Sequence, residues 1–221
     1  MMMTPIEIQN LLAEAVAEEN KGEFLNALRK YRDVYAASPH DQEAILGLAR
    51  VALTMGELEY AFDFFVKLLI ENHRHPWGFW GRAVVYFAYQ QPERAFREVC
   101  RAIEYDSPAT SLRVDCAVLL NENGYYQEAL DALHNLSEDD FDEDAKIEWC
   151  YAEIMLGSIG AKTNAFLNQH VHLDENALMW QLLSGMALYH EDKQKGLSMI
   201  NAVLLQEPDL RYRVEAMGAI A

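Results

Sequence analysis

The chain lacks any long apolar run and has few cysteines, and these absences exclude several classes of protein. No run of about 18 apolar residues occurs in its 221 residues, so no transmembrane helix is expected. The opening segment MMMTPIEIQNLL has neither a basic nor a continuous apolar stretch, which predicts no signal peptide and a cytoplasmic location. The cysteines, Cys100, Cys116 and Cys150, lie singly in apolar segments, which disfavours disulfides and predicts buried thiols.

Basic residues are also scarce in this sequence. Lysine and arginine together number 18 against 35 aspartates and glutamates, which gives a formal net charge of −17. Such a charge opposes binding to nucleic acids and to anionic membranes, because both are polyanions, and it permits basic protein partners. Hydrophobic residues make up 51% and charged residues 24% of the chain, as is typical of a folded soluble protein.

Motifs that would indicate catalysis or a cofactor are missing. The sequence contains no GxSxG, no P-loop and no HExxH, so we expect no enzyme. Two H-x-H pairs occur, His73 with His75 and His170 with His172, but no third ligand follows at a useful spacing. We therefore expect no bound metal and no cofactor.

Small residues recur every 34 positions along the chain. One alanine row comprises Ala15, Ala49, Ala83 and Ala117, and a second comprises Ala27, Ala61, Ala95 and Ala129. A glycine row comprises Gly22, Gly56 and Gly124, with Gln90 in the fourth place. Alanine allows two helices to cross closely, and glycine suits a tight turn with positive φ between them. The rows predict repeated helix–turn–helix units.

This pattern resembles the tetratricopeptide repeat, a helix–turn–helix unit of 34 residues. The resemblance implies an all-α fold, a right-handed α-solenoid of about six repeats in a single array spanning 1–221. First helices would line its concave face and second helices its convex face. The predicted repeats are 8–41, 42–75, 76–109, 110–143, 144–176, which is degenerate and one residue short, and 177–210. Residues 211–221, with Val214 and Met217, would form a short C-terminal capping helix.

The segment HRHPWGFWGR places two tryptophans at the start of the third repeat. The repeat register assigns Phe79, Ala83 and Tyr86 to the core. It assigns a second set of apolar residues, here called the tryptophan stripe, to the concave face: Trp77, Trp80, Val84 and Phe87. The same slots in neighbouring repeats extend this predicted groove: Leu12, Val16, Leu46, Arg50, Leu53, Val114 and Val118. Concave aromatic surfaces are typical binding hot spots, but the superhelix itself, residues 1–7 or another subunit could also fill the groove.

Acidic residues cluster in the segment SEDDFDEDAK. The cluster comprises Glu138, Asp139, Asp140, Asp142, Glu143 and Asp144. It has no glycine at the sixth position and no glutamate at the twelfth, so it does not match a calcium-binding EF-hand loop. Two interpretations remain, a solvated loop between repeats whose acids favour the following helix N-terminus, and a docking patch for a basic segment.

Three functions fit these features. The first is a non-catalytic adaptor or scaffold that binds an apolar or amphipathic segment of another protein in the groove. The second is a bacterial secretion chaperone holding an exported protein, a class that resembles this chain in acidity but usually has about three repeats. The third is a structural protein that self-assembles through weakly capped ends or through its grooves, as a homo-oligomer.

Overall fold

The computed structural model describes residues 3–105, 111–134, 136–137, 140–170 and 177–218. Within these ranges the regular structure is helical throughout, with no strand, which confirms the all-α prediction. The chain divides into two compact units, Met1–Asp106 and Ser107–Ala221, which are described separately. No helix in the described ranges is long and apolar enough to cross a bilayer.

The first unit consists of three helix pairs. Its helices are α1 (Pro5–Asn20), α2 (Phe24–Ala37), α3 (Gln42–Thr54), α4 (Leu58–Glu71), α5 (Pro76–Ala88) and α6 (Pro92–Tyr105). Each helix packs on the next, and α3 also contacts both α1 and α5. The first helices of the three pairs are therefore neighbours, so side chains at equivalent positions on them lie along one layer.

The second unit continues with helix pairs and ends in two short turns of helix. Its helices are α7 (Ser111–Glu122), α8 (Tyr126–His134), α9 (Glu143–Met155), α10 (Ala161–His170), α11 (Ala177–Glu191), α12 (Lys193–Leu204), a 3₁₀ helix (Pro208–Arg211) and α13 (Tyr212–Glu215). Helix α9 contacts α7 and α11. The second helix of the degenerate repeat, α10, spans only ten residues, and 171–176 lie outside the described residues.

The small-residue rows have the structural roles that their period predicts. All eight alanines of the two rows are fully buried. Gly22, Gly56 and Gly124 have φ of 77°, 77° and 81°, and Gln90, which replaces the fourth glycine, also has a positive φ of 56°. The amide of Gln91 donates to the carbonyl of Tyr86, as that of Glu57 does to Ala52. The turn geometry is thus kept where the glycine is lost.

Replacing Gln90 with glycine is expected to raise the free energy of unfolding by about 1 kcal/mol, because an L-residue is strained at positive φ. Urea unfolding followed by circular dichroism would measure the change. Gln91→Gly, at the next position, which does not have a positive φ, serves as control and should not stabilise. A Gln90→Gly protein less stable than the parent would contradict the turn geometry.

Three details differ from the sequence analysis. Thr4 caps α1 in a capping box with Glu7, so the first helix begins at Pro5, before the predicted repeat boundary at 8. Residues 5–7, which belong to the segment 1–7 considered as a possible occupant of the groove, are the first turn of α1. The prediction of three buried thiols was wrong for Cys100, which is exposed because it lies on the outer side of α6; Cys116 and Cys150 are buried.

Candidate partner-binding surface

Helix α5 carries the tryptophan stripe. His75 occupies its N-cap and Pro76 its first turn, where the missing amide of proline costs no hydrogen bond. Phe79 and Ala83 are buried, as the register predicts, while Tyr86 is only partly buried. All four members of the stripe are partly buried. They are therefore neither enclosed in the core nor fully solvated.

The two tryptophans contact each other. The ring centroids of Trp77 and Trp80 lie 5.5 Å apart with the planes at 74°, an edge-to-face arrangement. The indole nitrogen of Trp80 is shielded from solvent and has no hydrogen-bond partner among the described residues. A buried donor without an acceptor costs free energy. The two tryptophans are therefore held by contact between their rings and not by a hydrogen bond of the Trp80 indole.

The predicted groove residues of the neighbouring helices α1 and α3 differ in their exposure. Val16 is 42% exposed, and Leu46 and Leu53 are partly buried against the core of α3 and α4. Leu12, by contrast, is only 4% exposed and packs with Tyr31 and Ala15 in the core. Leu12 thus offers almost no surface to a partner.

Arg50 belongs to a polar network between α1, α2 and α3. Its Nε and Nη2 donate to the two carboxylate oxygens of Glu19 at 3.0 and 2.8 Å. The Tyr31 hydroxyl donates to the same carboxylate at 2.7 Å. The hydrogen bond from Arg50 to Glu19 raises the pKa of the guanidinium, and Arg50 therefore stays charged.

The two predicted groove residues of α7 lie in the second unit. Val114 is buried, and Val118 is partly buried. Asn121 on the same helix is also buried and donates through Nδ2 to the Glu148 carboxylate at 2.8 Å. Asn121 is therefore committed to a structural contact inside this unit.

The acidic cluster is described only in part, because Glu138 and Asp139 lie outside the described residues. Asp142 caps α9 by accepting from the amide of Ala145 at 2.9 Å. Asp140 accepts from the Ser137 hydroxyl at 2.6 Å, and Glu143 accepts from the Trp180 indole at 2.6 Å. Burial raises the pKa of Asp115 to about 6, with a further contribution from the exposed carboxylate of Asp144.

A buried ion pair in the second unit was not predicted from the sequence. Arg213 donates through Nη2 and Nη1 to the Glu148 carboxylate at 2.6 and 3.0 Å, and both side chains are buried. Burial disfavours the charged guanidinium, but its hydrogen bonds to Glu148 outweigh this effect and raise the pKa of Arg213. The Tyr151 hydroxyl also donates to the Arg213 carbonyl. These contacts hold the last helical turn, α13, against α9.

The histidine pairs do not form a ligand cluster in the described part of the chain. His73 is exposed, and burial lowers the pKa of the N-cap residue His75. His170 ends α10, and His172 lies outside the described residues. The described residues contain no group of three side chains arranged to hold a metal ion.

Comparison with known proteins finds proteins of similar structure but none of similar sequence. No protein-family profile matches the chain, and no curated protein is similar to it in sequence. A tetratricopeptide repeat protein from Parabacteroides merdae matches with a TM-score of 0.64 and 19% identity, over 98% of this chain and 85% of that one. Pseudomonas aeruginosa PilF matches with a TM-score of 0.65 and 13% identity, over 96% of each chain. A tetratricopeptide repeat protein from Thermus thermophilus matches with a TM-score of 0.58 and 18% identity, over 96% and 98%.

Proposed function

Because the chain has the fold of the tetratricopeptide repeat solenoids, we propose that it is a non-catalytic protein-interaction scaffold. Its binding surface is centred on the tryptophan stripe of α5 and takes an apolar or amphipathic segment of another protein. The observation that carries this proposal is the partial exposure of four large apolar side chains on one helix that already has a separate buried face.

The arrangement of the stripe supports binding rather than packing alone. An apolar helix surface left partly in water gains free energy when a partner covers it. Tryptophans contribute a large contact area with few rotatable bonds, so they lose little entropy on binding.

The neighbouring side chains indicate the character of the segment. The proposed surface extends to α1 and α3 through Val16, which is exposed, and Leu46 and Leu53, which are partly exposed. Arg50, which is paired with the Glu19 carboxylate, would add a polar group to this surface. A segment with one apolar face and a few polar groups would match both kinds of contact.

A selected peptide would test the proposal quantitatively. Peptides selected from a random display library on the purified full chain would be labelled, and their dissociation constants measured by fluorescence anisotropy. Trp77→Ala/Trp80→Ala is expected to weaken binding about a hundredfold or more, since truncating a buried tryptophan costs about 3 kcal/mol. Circular dichroism would check that the variant remains helical.

The matched control is Ile70→Ala/Leu205→Ala. These residues are the most exposed large apolar side chains on α4 and beyond α12, and lie outside the stripe. This variant should bind within about threefold of the parent, because its contacts are not part of the site. Equal binding by the parent and the folded tryptophan variant would refute the proposed site. No observation in the described residues favours the chaperone or self-assembly alternatives over it.

A further inference from the structure

Helix α6 presents a cluster of arginines in a strongly acidic protein. Arg94, Arg97 and Arg101 follow at i, i+3 and i+7, so they share one side of the helix. Together with Tyr86 of α5 and Glu98, they line a cavity of about 220 Å³, here called the basic pocket. The equivalent positions of α4, 34 residues earlier, are Tyr60, Asp63 and Lys67, so the three arginines are a property of α6 rather than of the repeat.

The basic pocket has more positive than negative groups. Arg82 of α5 adjoins it, with Nη2 3.4 Å from the Glu98 carboxylate, and Arg101 Nη1 lies 3.3 Å from the same oxygen. Glu98 is the single carboxylate among the lining residues and is 5% exposed. One carboxylate thus faces four guanidinium groups. The other acids of α6, Glu93 and Glu104, are exposed and do not line the cavity.

The internal contacts leave hydrogen-bonding capacity in the pocket. Arg94 donates through Nη1 to the Gln91 amide oxygen, and Arg97 donates through Nε to the Glu93 carbonyl. The described contacts of Arg94 and Arg97 are thus to neutral groups, and a guanidinium has five donors suited to bidentate contacts with oxyanions.

We propose that the basic pocket binds carboxylate side chains of an acidic segment of another protein. Three arginines spaced over seven residues span about 10 Å of helix, which suits several carboxylates on a segment better than one small anion. The buried Glu98 carboxylate disfavours phosphate more strongly than carboxylate, because phosphate carries about twice the negative charge. At an ionic strength of about 0.1 M the net charge of −17 does not prevent binding, since salt largely screens charges that lie more than about 10 Å from the pocket.

This second surface does not depend on the tryptophan stripe. It would allow the scaffold to hold an acidic segment at α6 while an apolar segment occupies α5, or to hold two parts of one partner. Binding at the basic pocket should therefore survive Trp77→Ala/Trp80→Ala. An experiment that rules out binding at one of the two surfaces therefore does not rule out binding at the other.

The test uses fluorescein-labelled hexaglutamate and the full chain at an ionic strength of about 0.1 M, where the net charge is screened, with anisotropy as the readout. Saturable binding is expected, and Arg94→Gln/Arg97→Gln should weaken it about tenfold or more. Arg29→Gln/Arg32→Gln is the matched control, because it removes the same two charges at the same spacing from exposed positions of α2. Glu98→Gln should tighten binding, because it removes the like charge. Loss of folding cannot mimic that gain.

Several outcomes would overturn the proposal. Absence of hexaglutamate binding, or equal weakening in the two double variants, would show that no specific carboxylate site exists at α6. Much tighter binding of a phosphoserine peptide of equal charge would reassign the pocket to phosphate. Oligomers of the parent protein that dissociate in Arg94→Gln/Arg97→Gln, seen by sedimentation, would make a second copy the occupant instead.

Discussion

Replacing Arg213 with alanine is expected to lower the free energy of unfolding of the second unit by about 3–5 kcal/mol. The change removes the cation that neutralises Glu148, whose side chain is only 3% exposed. The Glu148 carboxylate would still accept a hydrogen bond from the Asn121 amide. Its negative charge, however, would be buried without a compensating positive charge. Urea unfolding followed by circular dichroism would measure the loss of stability.

Two further variants test whether the loss of stability is due to the ion pair or to any change near the end of the chain. Arg211→Ala removes an exposed arginine two residues away and should change stability by less than about 0.5 kcal/mol. Glu148→Leu/Arg213→Leu removes both charges and should be less destabilised than Arg213→Ala, since apolar replacement of a buried pair is often near neutral. Equal stability of Arg211→Ala and Arg213→Ala proteins would contradict the buried pair.

Replacing Gly81 with alanine is expected to destabilise the first unit by about 2 kcal/mol or more, although alanine is the better helix former. A β-carbon at this position would overlap the ring of Phe65, which is fully buried and cannot move aside. A β-carbon at Gly47 would overlap the ring of Tyr31 in the same way. Gly47 and Tyr31 lie 34 residues before Gly81 and Phe65, respectively. The glycine-on-aromatic contact is therefore a repeated element of the packing, and Gly47→Ala should have a similar effect.

Gly78→Ala is the internal control on the same helix. Its β-carbon would lie 2.8 Å from the side chain of Leu69, which is partly buried and can rotate. We expect this variant to be clearly more stable than Gly81→Ala, because movement of Leu69 relieves the contact and the gain in helix propensity, about 1 kcal/mol, offsets part of its cost. A Gly81→Ala protein as stable as Gly78→Ala would show that α5 does not pack on Phe65 as described.

The period of 34 residues was sufficient to predict the local structure of the repeats. The turn at Gln90 shows how far the register extends, because this residue departs from the glycine row and still has a positive φ. The buried alanines and the division of α5 into a core face and a partly exposed stripe follow from the same register. These features depend on contacts within a repeat or between adjacent repeats, which a periodic sequence encodes.

Features that depend on neighbours outside this register could not be predicted. Leu12 occupies a groove slot, yet it is buried because Tyr31 and Leu48 from the following helices pack around it. Glu148 and Arg213 are 65 residues apart, and in a chain with 35 acidic residues nothing marks which carboxylate is buried. The arginines of α6 were visible in sequence, but the cavity between them, Tyr86 and Glu98 requires the packing of α5 on α6.

Fluorine NMR of the chain labelled with 5-fluorotryptophan, titrated with a selected apolar peptide, would test the central claim most directly. The sequence has four tryptophans, so four resonances are expected, and single Trp→Phe variants would assign them. The proposed function predicts that the resonances of Trp77 and Trp80 shift on binding. Those of Trp149 and the buried Trp180 should remain in place. Saturating binding that leaves the Trp77 and Trp80 resonances unchanged would contradict the claim that α5 holds the partner.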